Sequence, residues 1–491
     1  MPEFTCNLLG PSTPFKHFWE HTVGSDHAPM ALRADWQAQL RRAHKELGFQ
    51  YVRFHGILSD QMGTLICQNE QFLFSFFNTD QIFDFLLSTG MKPFIELSFM
   101  PETLASGSKT VFRYQGNVTP PKDYRQWEML ILKLAKHWVK QYGISEVSQW
   151  YFEAWNEPNL HHFWTGTQKD YFKLYRHTVE AIKRVDASLR VGGPATAQNA
   201  WIEEWLSFCE ANRLPADFVT THYYPTDAFG EIGADTETQL ANAPKDVMRQ
   251  RAQESRERAR GKPLYYTEWN VSSNPRHDMH DQPSAAAYAA RIIMSVHGLV
   301  DGYSFWTFSD IFEENYFPSV PFHGGFGLLN IHGIAKPVYR AFQLLHRLGD
   351  QLFPVAGKHD TVEVWGVRKE YAFNFLLVNQ AMPRHSIHTE VVKLTLSNAP
   401  EPLAVFVERI DEDHANPRKK WEELGKPDYL SAYEVESLKA SSELVKEPME
   451  WKYEQGNVHL KLSLPPQSVA AITLELGMEE VLSDVSGEKT K

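Results

Sequence analysis

The chain has 491 residues, 43% hydrophobic and 13% aromatic, with 49 basic against 61 acidic side chains for a formal charge of -12. That length calls for two or three domains, or one large barrel with an appendage, and the composition excludes wholesale disorder. The negative balance argues against nucleic acid or an anionic membrane surface as partner, and no apolar run reaches the ~20 residues of a membrane helix.

The segment EFTCNLL (3–9) reads as a strand available to a later sheet. No basic stretch followed by an apolar core and a small-residue cleavage site is seen near it, so a reducing, cytoplasmic setting is expected. Cys6, Cys67 and Cys209, odd in number and widely spaced, are then expected to be buried thiols rather than a disulfide or zinc framework.

From residue 18 onward, short β-branched or aromatic runs alternate with longer helical patterns. Strands are predicted at 18–24, 51–56, 91–99, 148–156, 189–195, 217–224, 263–270 and 301–308. Helices are predicted at 32–48, 78–90, 120–142, 167–186, 199–213, 242–261, 284–299 and 336–348. In the fourth helix Phe172, Tyr175, Val179, Ile182 and Val185 form one apolar stripe, whereas QESRERARGK (253–262) reads as a solvated helix face. Eight such units predict a (β/α)8 TIM barrel over residues 10–353.

After residue 353 the runs TVEVWGV, AFNFLLVN, VVKLTLS, LAVFVERI, VHLKLSL and SVAAITLEL dominate, with almost no helical stripe. They predict a C-terminal antiparallel β-sandwich over 354–480, joined by the strand at 3–9, and a polar tail at 481–491.

In a barrel of this kind active sites lie at the carboxyl ends of the strands. The fourth predicted strand ends in Asn156, Glu157 and Pro158, and the seventh in Glu268, Trp269 and Asn270. Two carboxyl groups aimed into one cleft suit cleavage of a glycosidic bond, one donating a proton to the leaving oxygen while the other attacks or directs water. Consecutive strand residues point to opposite faces, so Asn156 and Glu157 reach one cleft only if the strand kinks or bulges there. Glu153 is read as a lower-layer barrel residue or a support for the mouth. His161 and His162, adjacent on the chain, point apart and complete no metal site.

WNEPN (155–159), TEWN (267–270), RFHG (53–56), THYYPT (221–226) and YSFWTFSDIFEE (303–314) together resemble glycoside hydrolase family 39, most of all its bacterial β-xylosidases. FMPETLASG (99–107), GNVTPPKDY (116–124), FHGGFGL (322–328) and KPVYRAF (336–342) extend the resemblance through the barrel. It implies a retaining mechanism with Glu157 as general acid/base and Glu268 as nucleophile. It further implies Asn156 on the sugar 2-hydroxyl, His55 and His222 on ring hydroxyls, and Tyr224 against Glu268. Trp306 would be the aromatic floor and Glu314, beside Glu313, an acceptor for hydroxyls. Related enzymes carry a TEYNTSY-like run with an aromatic where this chain has Ser273, which implies a more open pocket.

The resemblance implies an exo-acting β-xylosidase of xylan breakdown that needs no cofactor or metal, acts on small oligosaccharides and forms a homo-oligomer. A β-galactosidase, an α-L-arabinosidase and an α-L-iduronidase-like enzyme are the alternatives of the same mechanism. A carbohydrate-binding protein without catalysis is the alternative of a different class.

Overall fold

The computed structural model of the protein describes residues 1–227, 235–315, 317–370 and 372–477; the tail expected at 481–491 lies outside the described residues. Eight parallel strands close into a barrel: Thr22–His27, Tyr51–His55, Lys92–Leu97, Tyr151–Ala154, Arg190–Thr196, Phe218–His222, Leu264–Trp269 and Gly302–Phe305. Each lies within or beside a predicted run. The first differs most, because Phe18–Glu20 forms a single 3-10 turn ahead of the strand. There Trp19 stacks on His17, whose Nδ1 lies 2.6 Å from Glu20 Oε1, so local contacts override the aromatic strand signal.

The helices follow from their caps and stripes. Tyr124–Tyr142 starts where Asp123 accepts the Arg125 N–H at 2.9 Å, and Gln168–Lys183 starts at a capping box of Thr167 and Asp170. Phe77–Thr89 ends at Gly90, whose φ of 87° lets its N–H return to Leu86 and Leu87.

Tyr51, Phe94, Tyr151, Phe218 and Tyr265, at or near the amino ends of their strands, form one cluster that fills the bottom of the barrel. This leaves the carboxyl ends as the open mouth.

Two sheets form the β-sandwich. One contains Val362–Lys369, Ala372–Asn379, Ser468–Glu475 and Ala404–Ile410, paired antiparallel. The other contains Glu390–Ser397 and Asn457–Leu464, also antiparallel, and Glu3–Asn7 lies parallel to Glu390–Ser397 with Thr5 opposite Thr395. Phe4 and Cys6 are buried with Phe375, Leu394 and Ile472 between the sheets. The first sheet turns Val367, Leu376 and Val378 toward the barrel, where they join its core.

Two expectations fail. The sandwich region carries two helices, Pro417–Glu423 and Ala432–Ser441, and the second buries only Leu438, too little for a visible stripe. Trp421 and Leu438 pack on Phe322 and Ile334 of the loops beyond the eighth barrel strand. Cys67 is an exposed thiol, since it lies on the short hairpin Leu65–Gln68 and Gln71–Phe74, most of which faces outward.

Candidate active site

A cavity of about 620 Å³ opens at the carboxyl ends of the strands, and Asn156, Glu157, Glu268, His55, Tyr224, Trp306 and Glu314 all line it. Asn156 and Glu157 share it because the chain beyond Ala154 leaves the strand conformation. Trp155 and Glu157 have left-handed φ angles of 73° and 42°, which cost on the order of 1 kcal/mol or more at each non-glycine position. The kink is held by the Glu157 N–H donating to the Ala195 carbonyl at 2.8 Å and by buried Trp155 donating from Nε1 to the Phe163 carbonyl at 2.8 Å.

Glu268 lies in a stretch where the pairing register shifts between Tyr266 and Trp269, a bulge that re-aims side chains at the rim. Its Oε1 accepts from Arg53 Nη1 at 2.8 Å and its Oε2 from the Tyr224 hydroxyl at 3.0 Å. Oxygens of Glu157 and Glu268 approach within 4.8 Å of each other, with His222 Nδ1 in the same group. Such a triad can admit a cation by distance, yet the Arg53 guanidinium already supplies positive charge at Glu268.

The two carboxyls sit in different surroundings. Burial pushes the Glu157 carboxyl well above the usual range, and the charge of Glu268 pushes it further, against the opposing pull of His55 and Arg53. Burial likewise raises Glu314, to about 8. Burial alone would lower His55, but the carboxylate of Glu96, 2.6 Å from Nδ1, outweighs it with help from Glu314 and Glu268, and the ring is held well above its ordinary value.

His222 is fully buried and stands behind Glu157, with Nδ1 at 2.9 Å from Glu157 Oε1, rather than on the cavity wall. Burial, Arg53 and His55 hold its ring well below the usual imidazole value. Glu314 faces the cavity, whereas Glu313 turns away toward His27 at 3.7 Å and Arg33 at 3.9 Å.

Trp306 packs with Phe312, Phe326 and Tyr224 into an aromatic wall. Its seat depends on Gly24, where a Cβ would lie 2.6 Å from Trp306 Cε3. Gly24→Ala is therefore expected to displace the indole and raise KM on the order of tenfold, with thermal stability lowered by about 1–3 kcal/mol; an unchanged KM would show that the ring does not bear on the ligand.

Arg53 is the residue that strand reading left unassigned. Its fully buried guanidinium contacts Glu153 at 2.6 Å, Glu96 at 2.8 Å, Glu268 at 2.8 Å and the Asn156 Oδ1 at 2.9 Å. The available signal is its place in YVRFH, a strand buried at every position.

A (β/α)8 barrel holding two carboxyls of unlike environment within contact range across its mouth defines a glycoside hydrolase. The sequence profile of glycosyl hydrolases family 39 matches residues 8–459, and the chain belongs to that family, which is a retaining one. It is 49% identical to a beta-xylosidase of Caldicellulosiruptor saccharolyticus over 94% of this chain and 96% of that one. A beta-xylosidase of Geobacillus stearothermophilus is 37% identical over 95% and 94% of the two chains. The crystal structure of a monomeric beta-xylosidase from Caulobacter crescentus CB15 superimposes with a TM-score of 0.85 at 33% identity, covering 97% of this chain and all of that one.

Proposed function

We propose that the protein is a retaining, exo-acting β-xylosidase that releases xylose from the nonreducing ends of xylo-oligosaccharides. The observation that carries the reading is the pair Glu157 and Glu268. At least one oxygen of each lies within 4.8 Å of the other, which fits the short spacing of retaining pairs, about 5–5.5 Å between carboxyl groups, better than the roughly 6.5–9.5 Å that leaves room for an inverting water.

Glu268, steadied by Arg53 and Tyr224, attacks the anomeric carbon as Glu157 gives its proton to the leaving oxygen. The C–O bond to the aglycone breaks and a glycosyl–Glu268 ester forms. Glu157, now ionised, takes a proton from water as that water attacks the same carbon and releases Glu268, so configuration is retained. Asn156, its Oδ1 held by Arg53, is aimed at the sugar 2-hydroxyl, a contact that strengthens as positive charge develops on the ring. His55 and Glu314 address further hydroxyls over the Trp306 wall.

Among the described residues lining the cavity there is no lysine or arginine. A neutral pentose or hexose suits that lining better than a uronic acid, because the one cationic ring there, His55, is already paired with Glu96 and Glu314 and a sugar carboxylate would meet Glu314 as a like charge. Purified protein is expected to turn over p-nitrophenyl β-D-xylopyranoside faster than the β-galactoside, the α-L-arabinoside or an iduronide, with β-xylose as the first product by proton NMR. Initial α-xylose would overturn retention, a better galactoside or arabinoside would replace the sugar, and binding of xylobiose without turnover would favour a carbohydrate-binding protein.

Two buried free thiols, Cys6 and Cys209, support a reducing, cytoplasmic setting, and no helix among the described residues is long and apolar enough to cross a membrane. A homo-oligomer is proposed from the family resemblance alone; sedimentation velocity distinguishes it from a monomer.

A further inference from the structure

Behind Glu157 runs a buried line of hydrogen bonds that the reaction described above does not use. Glu157 Oε1 lies 2.9 Å from His222 Nδ1, His222 Nε2 lies 3.0 Å from Thr267 Oγ1, and Thr267 Oγ1 donates to Glu153 Oε1 at 2.9 Å. The far oxygen of Glu153, Oε2, accepts from Arg53 Nε at 2.6 Å. Thr267 and the side chains of Glu153 and His222 are essentially inaccessible, so water does not complete the line.

The direction of this line follows from counting protons. A hydroxyl carries one, and Thr267 gives it to Glu153, whose carboxylate is paired with Arg53. Burial, with the charge of Glu96 beside it, raises the Glu153 carboxyl, and the Arg53 guanidinium opposes that rise from 2.6 Å, where its N–H groups need an acceptor. Thr267 then offers His222 Nε2 only a lone pair, so that nitrogen must carry the ring proton. The surroundings of His222 disfavour a second proton, which leaves Nδ1 bare and able only to accept. Glu157 Oε1 completes that bond as a carboxylic acid and not as a carboxylate.

We propose that Glu153, acting through Thr267, fixes His222 in its Nε2–H tautomer and so keeps Glu157 protonated in the resting enzyme, its single O–H resting on His222 Nδ1 and turning from it to the leaving oxygen when substrate is bound. Glu153 and Thr267 are positioning residues, since neither lines the cavity. The inference rests on Glu157 being the acid of the proposed reaction. Glu268 on the seventh strand, Arg53 and His55 on the second and Glu314 beyond the eighth also face Glu157, and the substitutions below leave all of them in place.

Thr267→Val removes the hydroxyl and frees His222 to present Nδ1–H. Glu153→Gln reverses the line: Arg53 keeps the amide oxygen on its own side, so the NH2 group faces Thr267, and the Thr267 proton turns to His222 Nε2. Nδ1 then carries the ring proton and donates to the carboxylate of Glu157, favouring its ionised form. In both variants the basic limb of the kcat/KM profile on a xyloside with a poor leaving group is expected to move down by about one pH unit, roughly tenfold in rate on that limb. A dinitrophenyl xyloside, whose leaving group needs no proton, is expected to lose nothing there, and Thr267→Ser to keep the wild-type profile. An unmoved basic limb in Thr267→Val and Glu153→Gln would overturn the proposal.

Nitrogen NMR of protein labelled with ¹⁵N-histidine reads the tautomer itself, with His222 identified by its loss in His222→Gln. Nε2–H is expected in the wild type and Nδ1–H in Glu153→Gln; Nδ1–H in the wild type would sink the idea. This readout stands even if no glycoside is turned over, so failure of the functional reading is seen separately, and the wild-type and Thr267→Val spectra decide if Glu153→Gln does not fold.

Discussion

Glu268→Gly is expected to lower turnover of p-nitrophenyl β-D-xylopyranoside by ~10⁴-fold or more, equivalent to about 5.5 kcal/mol of transition-state stabilisation. On the proposed mechanism the substitution removes the attacking atom but leaves the donors around it, Arg53 Nη1 and the Tyr224 hydroxyl, which stood 2.8 and 3.0 Å from its oxygens. A small anion can occupy the vacated space between them. Added azide is therefore expected to restore part of the activity and to yield the α-xylosyl azide, since attack comes from the face that Glu268 held. Glu157→Ala is expected to behave oppositely, with azide entering the glycosyl–enzyme from the other face to give the β-azide. If Glu268→Gly gave the β-azide and Glu157→Ala the α-azide, the two roles would have to be exchanged. Activity within tenfold of wild type in Glu268→Gly would remove it from the chemistry altogether.

Arg53→Met is expected to damage both folding and rate. The guanidinium is fully buried, and although burial works against its charge, the carboxylates of Glu153, Glu96 and Glu268 outweigh that and secure it. Methionine fills much of the volume and leaves three acidic groups with His55 as their remaining cation, which touches Glu96 at 2.6 Å but has no contact with Glu153. Losing one partner of a buried charged network costs about 3–5 kcal/mol. Loss of the hydrogen bonds that aim Glu268 and Asn156 is expected to lower kcat by on the order of 10²–10³-fold. The pH dependence carries a definite sign. In the variant the stranded carboxyls have raised values in the folded state, so the folded form is favoured at low pH and loses stability as pH rises through those values. The deficit against wild type, measured by urea unfolding, is expected to be smaller at pH 5 than at pH 8. A deficit that is equal at both pH values, or absent, would mean that Arg53 does not neutralise this cluster.

The parts of the fold carried by local pattern were legible in the chain itself. Eight short strands and the helices between them announce themselves by runs such as YVRFH and LYYTEW and by caps such as Thr167 and Gly90. Glu157 and Glu268 were legible because each ends a strand whose end has a meaning in a barrel. Glu153 was legible only as a lower-layer or supporting residue, and its partners, like the role of Arg53, were not, because they depend on register. Glu96 and Glu153 are direct partners across adjacent strands, a like-charge pair that would be unfavourable alone, and Arg53 from the next strand of the barrel is what makes it tolerable. His222 was expected on ring hydroxyls, but a register shift after Thr221 sets it opposite Glu268 and behind Glu157. The helix Ala432–Ser441 escaped notice for a simpler reason: with one buried residue it has almost no apolar face to detect.

The seating of Glu3–Asn7 beside Glu390–Ser397 bears on the order in which the molecule is assembled. Glu3 and Lys393 form an ion pair between positions 390 apart in the chain, and the whole barrel lies between them in sequence. On a ribosome adding about 5–20 residues per second, the first of these strands waits for its partner for roughly tens of seconds. During that interval Phe4 and Cys6 lack the strand Glu390–Ser397 to pair beside, while every strand of the barrel is made before the interval ends. The barrel is thus free to close before the strand Glu3–Asn7 can take its place in the sandwich.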